Sequence, residues 1–354
     1  MELIFKAPQI LNRGKGLTFD DVLLIPQYSE ISSRKIPSLR SKLTKNHSID
    51  IPVITANMDT ITEIEMAKAL ASLGGVGSFH RFLSDDEQAK QILELKQFLK
   101  TNNLTSPIAA SIGVKEEGIR RAHKLVEAGV QVITLDIAHG DSIMMIEVLD
   151  YLKKNFPNVD VIAGNVATAT GVKRFIDHGA DAVKVGIGPG SMCTTRIITG
   201  HGVPQLTAIA LAVSIAKPQG IPVIADGGLK NSGDIVKALS AGASTVMVGS
   251  LVSGTIETPG EIKGGMKQYR GMASKAAQVS WRGEMPQGMA AEGESTMIPC
   301  KGPVAHVIDE LMGGLRSGMT YLGVETIPQM FERAEFMEMS ASGMSESKPH
   351  GVRA

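Results

Sequence analysis

The sequence predicts a (β/α)8 barrel, an α/β fold in which eight parallel strands close inside a ring of helices. Three observations predict it. Eight short apolar runs alternate with longer segments of helical period, the pattern of successive strand–helix units. Most of these runs are apolar throughout instead of alternating, as parallel strands covered on both faces must be. Glycines and polar residues gather just after the C-terminal ends of the runs, where barrels of the TIM type carry their chemistry. An open doubly wound sheet is the competing architecture, but its usual mark, a GxGxxG after the first strand, is missing.

The strands are expected at 51–55, 75–79, 107–111, 130–136, 159–163, 182–185, 221–225 and 244–248. Helices are expected at 63–73, 85–99, 115–128, 142–155, 168–178, 204–217 and 232–241, with a last one from 303 to 317. Ser142, Thr168 and Ser232 are suited to be N-caps, and Gly129, Gly179 and Gly242 to be C-caps. Residues 263–302 break the rhythm. They show little periodicity, are rich in Gly, Met and Gln, and read as a mobile flap over the strand ends. From 339 to 354 the chain turns small and polar and reads as a tail. The whole of 1–354 is therefore read as one barrel domain.

Composition narrows the classes. Lys plus Arg and Asp plus Glu each total 36 of 354 residues, so the net charge is zero. Neither a basic nucleic-acid surface nor an acidic tail is indicated. Aromatic residues make up 4%, too few for a stacking platform along single-stranded nucleic acid. Two cysteines do not make a disulfide framework and fit a reducing compartment. No apolar run is long enough for a membrane span, and Met1-Glu2-Leu3-Ile4-Phe5-Lys6 lacks the apolar core of a signal peptide. A cytoplasmic protein is expected.

The most informative stretch is Gly186-Ile187-Gly188-Pro189-Gly190-Ser191-Met192-Cys193-Thr194-Thr195-Arg196, after the sixth strand. Its glycines let the backbone turn sharply and approach a ligand or ion. A free cysteine is ordinarily a small buried hydrophobe, and Cys300, in Met297-Ile298-Pro299-Cys300, keeps that reading. Cys193 stands instead in an open polar loop among hydroxyls and an arginine, which points to a nucleophile. Asn57-Met58-Asp59, His80-Arg81, Asp136-Ile137-Ala138-His139-Gly140 and Gly164-Asn165 follow strands one, two, four and five. Asp226-Gly227-Gly228 and Gly249-Ser250 follow strands seven and eight, where barrels often hold phosphate on backbone N–H groups. His80 and His139 read as hydrogen-bonded structural residues. Neither has the neighbours of a zinc site.

Together these residues resemble the family of inosine monophosphate dehydrogenases and guanosine monophosphate reductases. The likeness runs from Leu17-Thr18-Phe19-Asp20-Asp21 to Gly313-Gly314-Leu315-Arg316-Ser317. It is most specific in the Cys193 loop, Ala225-Asp226-Gly227-Gly228 and Tyr269-Arg270-Gly271-Met272. The resemblance implies a barrel, usually a homotetramer, that works on a purine mononucleotide with a nicotinamide cofactor. It implies that Cys193 forms a covalent adduct at C2 of the purine. Thr195 would handle protons, with Glu292 on the flap as its partner. Asp226 would accept a ribose hydroxyl. Ser191, Gly228, Gly249 and Ser250 would cradle the phosphate, Gly271, Met272 and Ala273 would hold the base, and Gly227 and Gly293 would also contact the substrate. Arg81, Asp136, Ile137, Ala138 and Ser317 would contact the cofactor. The carbonyls of Gly188, Gly190 and Cys193 would hold a monovalent cation, potassium.

Within that family, dehydrogenases oxidise IMP with NAD and hydrolyse the adduct. Reductases expel ammonia from GMP and deliver hydride from NADPH. Four features resemble the reductases. No paired regulatory (CBS) domain is inserted between His80-Arg81 and Ile112-Gly113-Val114. The flap lacks the Arg-Tyr pair that dehydrogenases use to activate water. Met272 to Glu292 is a short interval. Ala56-Asn57-Met58-Asp59 and Asp136-Ile137-Ala138-His139-Gly140 look like reductase versions. Two stretches look like dehydrogenases: Ser342-Gly343-Met344-Ser345-Glu346-Ser347-Lys348-Pro349-His350 and Gly200-His201-Gly202-Val203-Pro204-Gln205. Met289 stands where reductases often show Arg. The expectation is an NADPH-dependent GMP reductase, with an NAD-dependent IMP dehydrogenase lacking CBS domains as the alternative. A silent nucleotide-binding barrel is a third reading, against which the retained Cys193, Thr195 and Glu292 speak.

Overall fold

The computed structural model describes residues 3–285, 287–288 and 290–349. Its centre is a closed barrel of eight parallel strands. These are β1 (Val53–Thr55), β2 (Val76–Phe79), β3 (Ala109–Ile112), β4 (Val132–Asp136), β5 (Asp160–Val166), β6 (Ala182–Val185), β7 (Val223–Asp226) and β8 (Thr245–Val248). Pairing of Val246 with Val53 and of Val248 with Thr55 closes the ring. Each strand was expected, and each is nearly all buried. The fully apolar runs follow from that: the inner face fills the barrel and the outer face meets helices.

The outer ring is α1 (Ile64–Ser72), α2 (Asp85–Thr101), α3 (Glu116–Ala128), α4 (Ile143–Asn155), α5 (Ala169–Asp177), α6 (Gln205–Ala216), α7 (Ser232–Ser240) and α8 (Val304–Leu322). Only residues 102–108 join α2 to β3, so no domain is inserted there. Ser142 and Thr168 cap α4 and α5 as expected, accepting from Met145 N–H at 3.4 Å and Gly171 N–H at 3.2 Å. Asn231, not Ser232, caps α7, accepting from Asp234 N–H at 3.0 Å. The amide oxygen serves an N-cap as well as a hydroxyl does, and sequence spacing did not separate the two neighbours. Gly129 ends α3 in the left-handed region that a residue with a Cβ avoids.

Close packing of α1 on β2 rests on one glycine. A Cβ on Gly77 would lie 2.6 Å from the Ala67 Cα. Gly77→Ala is therefore expected to destabilise the chain by about 1–3 kcal/mol through overpacking. A lower urea midpoint at unchanged slope is the expected reading.

Two parts differ from expectation. Residues 263–302 are not structureless. Strands β9 (Met266–Arg270) and β10 (Ser295–Pro299) pair antiparallel, from Met266 opposite Pro299 to Arg270 opposite Ser295. Between them lies a flap helix, Lys275–Arg282, capped by Ser274. The period of two was obscured because only one strand has a buried face. Second, Ile4–Lys6, Glu335–Glu338 and Val22–Leu24 form a small antiparallel sheet outside the barrel. Its strands are too short to show a pattern in sequence. The expected tail begins with a short helix, Ala341–Glu346, and residues 350–354 of it lie outside the described residues, as does Met289.

Candidate active site

A cleft of about 320 Å³ opens at the C-terminal ends of the strands, between them and the flap. The loop after β6 supplies one wall. Gly186 has φ +152°, and a Cβ there would lie 2.1 Å from the Asp226 carbonyl oxygen, so β6 and β7 approach as closely as they do only through glycine. Gln205 on α6 ties the same two strand ends, donating to the Val185 and Asp226 carbonyls at 2.9 and 3.0 Å.

Cys193 lines this cleft and is half-buried. Its Sγ lies 3.2 Å from Thr195 Oγ1, and Thr195 donates to Glu292 Oε2 at 2.8 Å. Sulfur, hydroxyl and carboxylate thus form one hydrogen-bonded line. Thr195 opens a short helix, Thr195–Thr199, that the sequence analysis did not anticipate. Glu292 reaches Thr195 because the flap is laced to the cysteine loop by backbone bonds. Thr194 N–H donates to the Glu292 carbonyl at 3.1 Å, and Glu294 N–H donates to the Met192 carbonyl at 2.9 Å. Gly271 and Gly293 permit this contact: a Cβ on either would lie 3.1 Å from the Met192 carbonyl oxygen. Arg270 grips Asp59 at the flap's root, and Glu292 N–H donates to the Ala273 carbonyl at 3.0 Å.

The floor holds a group that the sequence analysis missed. Lys184, a lone charge inside the apolar strand β6, is 1% exposed. Its Nζ donates to Asp226 Oδ2 at 2.9 Å, to Asp136 Oδ1 at 3.3 Å and to Asn165 Oδ1. Burial works against its charge, but Asp226 and Asp136 outweigh it and hold the ammonium above the usual lysine value. Asn165 also donates to Asp226 Oδ2, at 2.9 Å. Both donors meet one oxygen, which leaves Asp226 Oδ1 free of protein donors among the described residues.

The expected phosphate residues converge on a second missed residue, Tyr269 of β9. Its hydroxyl lies 2.9 Å from Ser191 Oγ and also bonds Ser250. Burial raises the phenol's pKa against those two hydrogen bonds, so Tyr269 stays a neutral donor. Gly227 and Gly228 are both left-handed, at φ +92° and +80°, and Gly249 leaves room beside Met58 and the Tyr269 hydroxyl. Met272, Ala273, Asp136, Ile137, Ala138 and Arg81 line the cleft as expected. Gln278 on the flap helix lines it too. Its Nε2 donates to the Met272 carbonyl at 2.8 Å, which leaves Oε1 buried without a partner.

Ser317 lies on α8, its hydroxyl donating back to the Gly313 carbonyl at 3.1 Å, outside the residues that line the cleft. Helix α8 packs on α7 and α1 in the outer ring. His80 is structural as expected: it is 1% exposed, accepts from Phe82 N–H at 3.1 Å and meets Glu63 at 3.1 Å. No cluster of three His, Cys, Asp or Glu side chains suited to a metal occurs among the described residues. Gly188, Gly190 and Cys193 share one loop. The Gly190 carbonyl accepts from Cys193 N–H at 3.0 Å. No described helix is long and apolar enough to cross a membrane.

The profile described as "IMP dehydrogenase / GMP reductase domain" matches residues 16–350. Fold and site together define a barrel oxidoreductase of purine nucleotide metabolism that uses a nicotinamide cofactor. Relatives agree with the profile. Inosine-5'-monophosphate dehydrogenase of Cryptosporidium parvum is 43% identical, covering 96% of each chain. GMP reductase of Leishmania major is 33% identical, covering 96% of this chain and 97% of its own. A crystal structure of a cysteine-to-alanine variant of GMP reductase from Trypanosoma brucei, in complex with guanosine 5'-monophosphate, superposes with a TM-score of 0.89. It is 32% identical and covers 96% of this chain and 98% of its own. The chain belongs to the IMP dehydrogenase / GMP reductase family.

Proposed function

We propose that this chain is a GMP reductase, converting GMP to IMP and ammonia at the expense of NADPH. The observation that carries the reading is the Cys193–Thr195–Glu292 line. Cys193 sulfur adds to C2 of the purine as its thiol proton passes to the Thr195–Glu292 pair, and the C2–N bond of the exocyclic amine breaks. Ammonia leaves poorly unless it is protonated, and the Thr195 hydroxyl, backed by Glu292, delivers that proton. The cofactor's chemistry, when it is bound, would be hydride donation to C2. The C2–S bond then breaks, and its electron pair returns to sulfur. Asp226 Oδ1 takes the ribose hydroxyl. Tyr269, Ser191, Ser250 and the glycines Gly227, Gly228 and Gly249 take the phosphate, while Gly271, Met272, Ala273 and Gly293 hold the base. Arg81, Asp136, Ile137, Ala138 and the unpaired Gln278 Oε1 face the nicotinamide half. A potassium ion, if bound, is held by the carbonyls of Gly188, Gly190 and Cys193, and no step passes through it. The flap lacks an Arg-Tyr pair to activate water, its one arginine past Gly271, Arg282, being followed by glycine. The same reading takes the protein to be a cytoplasmic homotetramer.

A second reading, an NAD-dependent IMP dehydrogenase, is favoured by the 43% identity to the Cryptosporidium parvum enzyme. One paired assay separates them. Loss of NADPH absorbance with GMP is expected. Formation of NADH with IMP, and no NADPH loss with GMP, overturns the reductase reading. Glu292→Gln keeps the shape but not the carboxylate. It is expected to slow GMP reduction about 100- to 1,000-fold while GMP affinity changes by less than about threefold. Unchanged reduction removes Glu292 from the proton path.

A further inference from the structure

We propose that Lys267 and Lys301 are positioning residues for the 5′-phosphate of the mononucleotide, clamping the turn after β8 to the root of the flap through backbone carbonyls. This rests on the phosphate site of the reading above, and not on which purine or which cofactor turns over. Residues 249–258 follow β8 in successive turns and carry Gly249 and Ser250. Lys267, on β9, is 2% exposed. Its Nζ donates to the Thr255 and Ile256 carbonyls, each at 3.2 Å, and to the Thr258 carbonyl. Lys301, just past β10, donates to the Ser250 and Leu251 carbonyls at 3.0 and 3.2 Å. Among the described residues, carbonyls and no carboxylate meet these two ammoniums. Glu257, the acid of the same turn, accepts instead from Val304 N–H at 2.8 Å.

An ammonium has three N–H groups, and three carbonyls satisfy that of Lys267 completely. Burying it still costs. That burial holds its pKa below the usual lysine value, against the pull of Cys300 and Glu257. What it secures is the aim of several carbonyls at one point, where their dipoles repel one another unless a cation sits among them. The turn cannot swing away without stranding these groups. The clamp also has a register. Side chains alternate along β9, so Lys267 and Tyr269 share its buried face. Lys267 holds the far end of the turn, while the Tyr269 hydroxyl bonds Ser250 at its near end. Gly254 lets the turn close on β10: its φ is +79°, and a Cβ there would lie 2.6 Å from the Pro299 carbonyl oxygen. Lys301 N–H donates to the Gly254 carbonyl at 2.8 Å, and Ile256 N–H to the Gly302 carbonyl at 3.0 Å. Phosphate turn and flap root are therefore one unit, and its two cations without counter-ions favour a phosphate dianion.

Lys267→Met and Lys301→Met are compared in the whole enzyme with three probes: the mononucleotide, ribose 5-phosphate, and the purine nucleoside that lacks the phosphate. Each variant is expected to raise the mononucleotide KM and the ribose 5-phosphate inhibition constant about tenfold. The same variants should keep kcat within about threefold and the nucleoside inhibition constant within about twofold. Lys301→Arg, which keeps donors for both carbonyls, is expected to recover most of the loss. A general loosening of the barrel would weaken nucleoside and mononucleotide alike. Equal losses for those two, or an unchanged mononucleotide KM in Lys301→Met, overturns the clamp. Lys301 is exposed, so its variants decide the outcome should Lys267→Met fail to fold. Turnover of IMP with NAD in place of GMP with NADPH would overturn the reductase reading and leave this one standing, since both nucleotides carry the same phosphate.

Discussion

Cys193→Ala is expected to cut turnover by about ten-thousand-fold or more, because no neighbouring group can take over the covalent step. Among the described residues the Thr195 hydroxyl is the one nucleophile in hydrogen-bond contact with the sulfur, and Glu292 already engages it at 2.8 Å. Binding should survive the change. Tyr269, Asp226 and the glycines at φ +92° and +80° lie on other strand ends and do not depend on the sulfur. Purine-mononucleotide affinity is therefore expected to stay within about threefold by calorimetry. Cys300→Ala is the control. Cys300 lies at the foot of the flap, its amide donating to the Gly265 carbonyl at 2.9 Å, and its loss should leave turnover near normal. Turnover retained in Cys193→Ala, or lost only in Cys300→Ala, would remove the covalent mechanism.

Lys184→Met is expected to lower both stability and activity. The ammonium bonds two carboxylates and an amide while itself 1% exposed. Methionine fills its volume but leaves Asp226 and Asp136 facing each other without a cation. Losing one partner of a buried ion cluster costs about 3 kcal/mol, a fall in melting temperature of about 4 °C for a chain of this size. Asp226 and Asp136 face the two halves of the cleft, so KM should rise for mononucleotide and cofactor together. Adding Asp226→Asn to Lys184→Met should recover part of the stability, since it removes one stranded charge. The pH dependence has a definite sign. The pKa of Lys184 is raised on folding, so its contribution is complete below the ordinary lysine value and is lost only as pH climbs through the higher folded value. Stability near neutrality should therefore not titrate with Lys184. An additive double variant, or a melting temperature unchanged in Lys184→Met, would contradict the cluster.

The barrel was legible because its signal is local. Strands β1 to β8 are short, apolar and spaced by helices, and covering both faces of a parallel strand forces that pattern on each one separately. The Cys193 loop was legible for a related reason: Gly186, Gly188 and Gly190 around it state a backbone requirement in the residues themselves. Lys184 was passed over because a charge inside an apolar strand carries no indication of its partners. Those partners, Asp136, Asn165 and Asp226, lie on three other strands.

The amino-acid order alone determined the architecture, the glycine-rich Cys193 loop and the loops that surround it, because each depends on periodicity or on backbone freedom within a few residues. Only tertiary structure decided which oxygen Glu292 meets, that Tyr269 joins Ser191, and that Lys184 spans two carboxylates. Those facts are distances between strand ends and the flap. Barrel closure sets them, and no stretch of chain short enough to carry a pattern contains both partners.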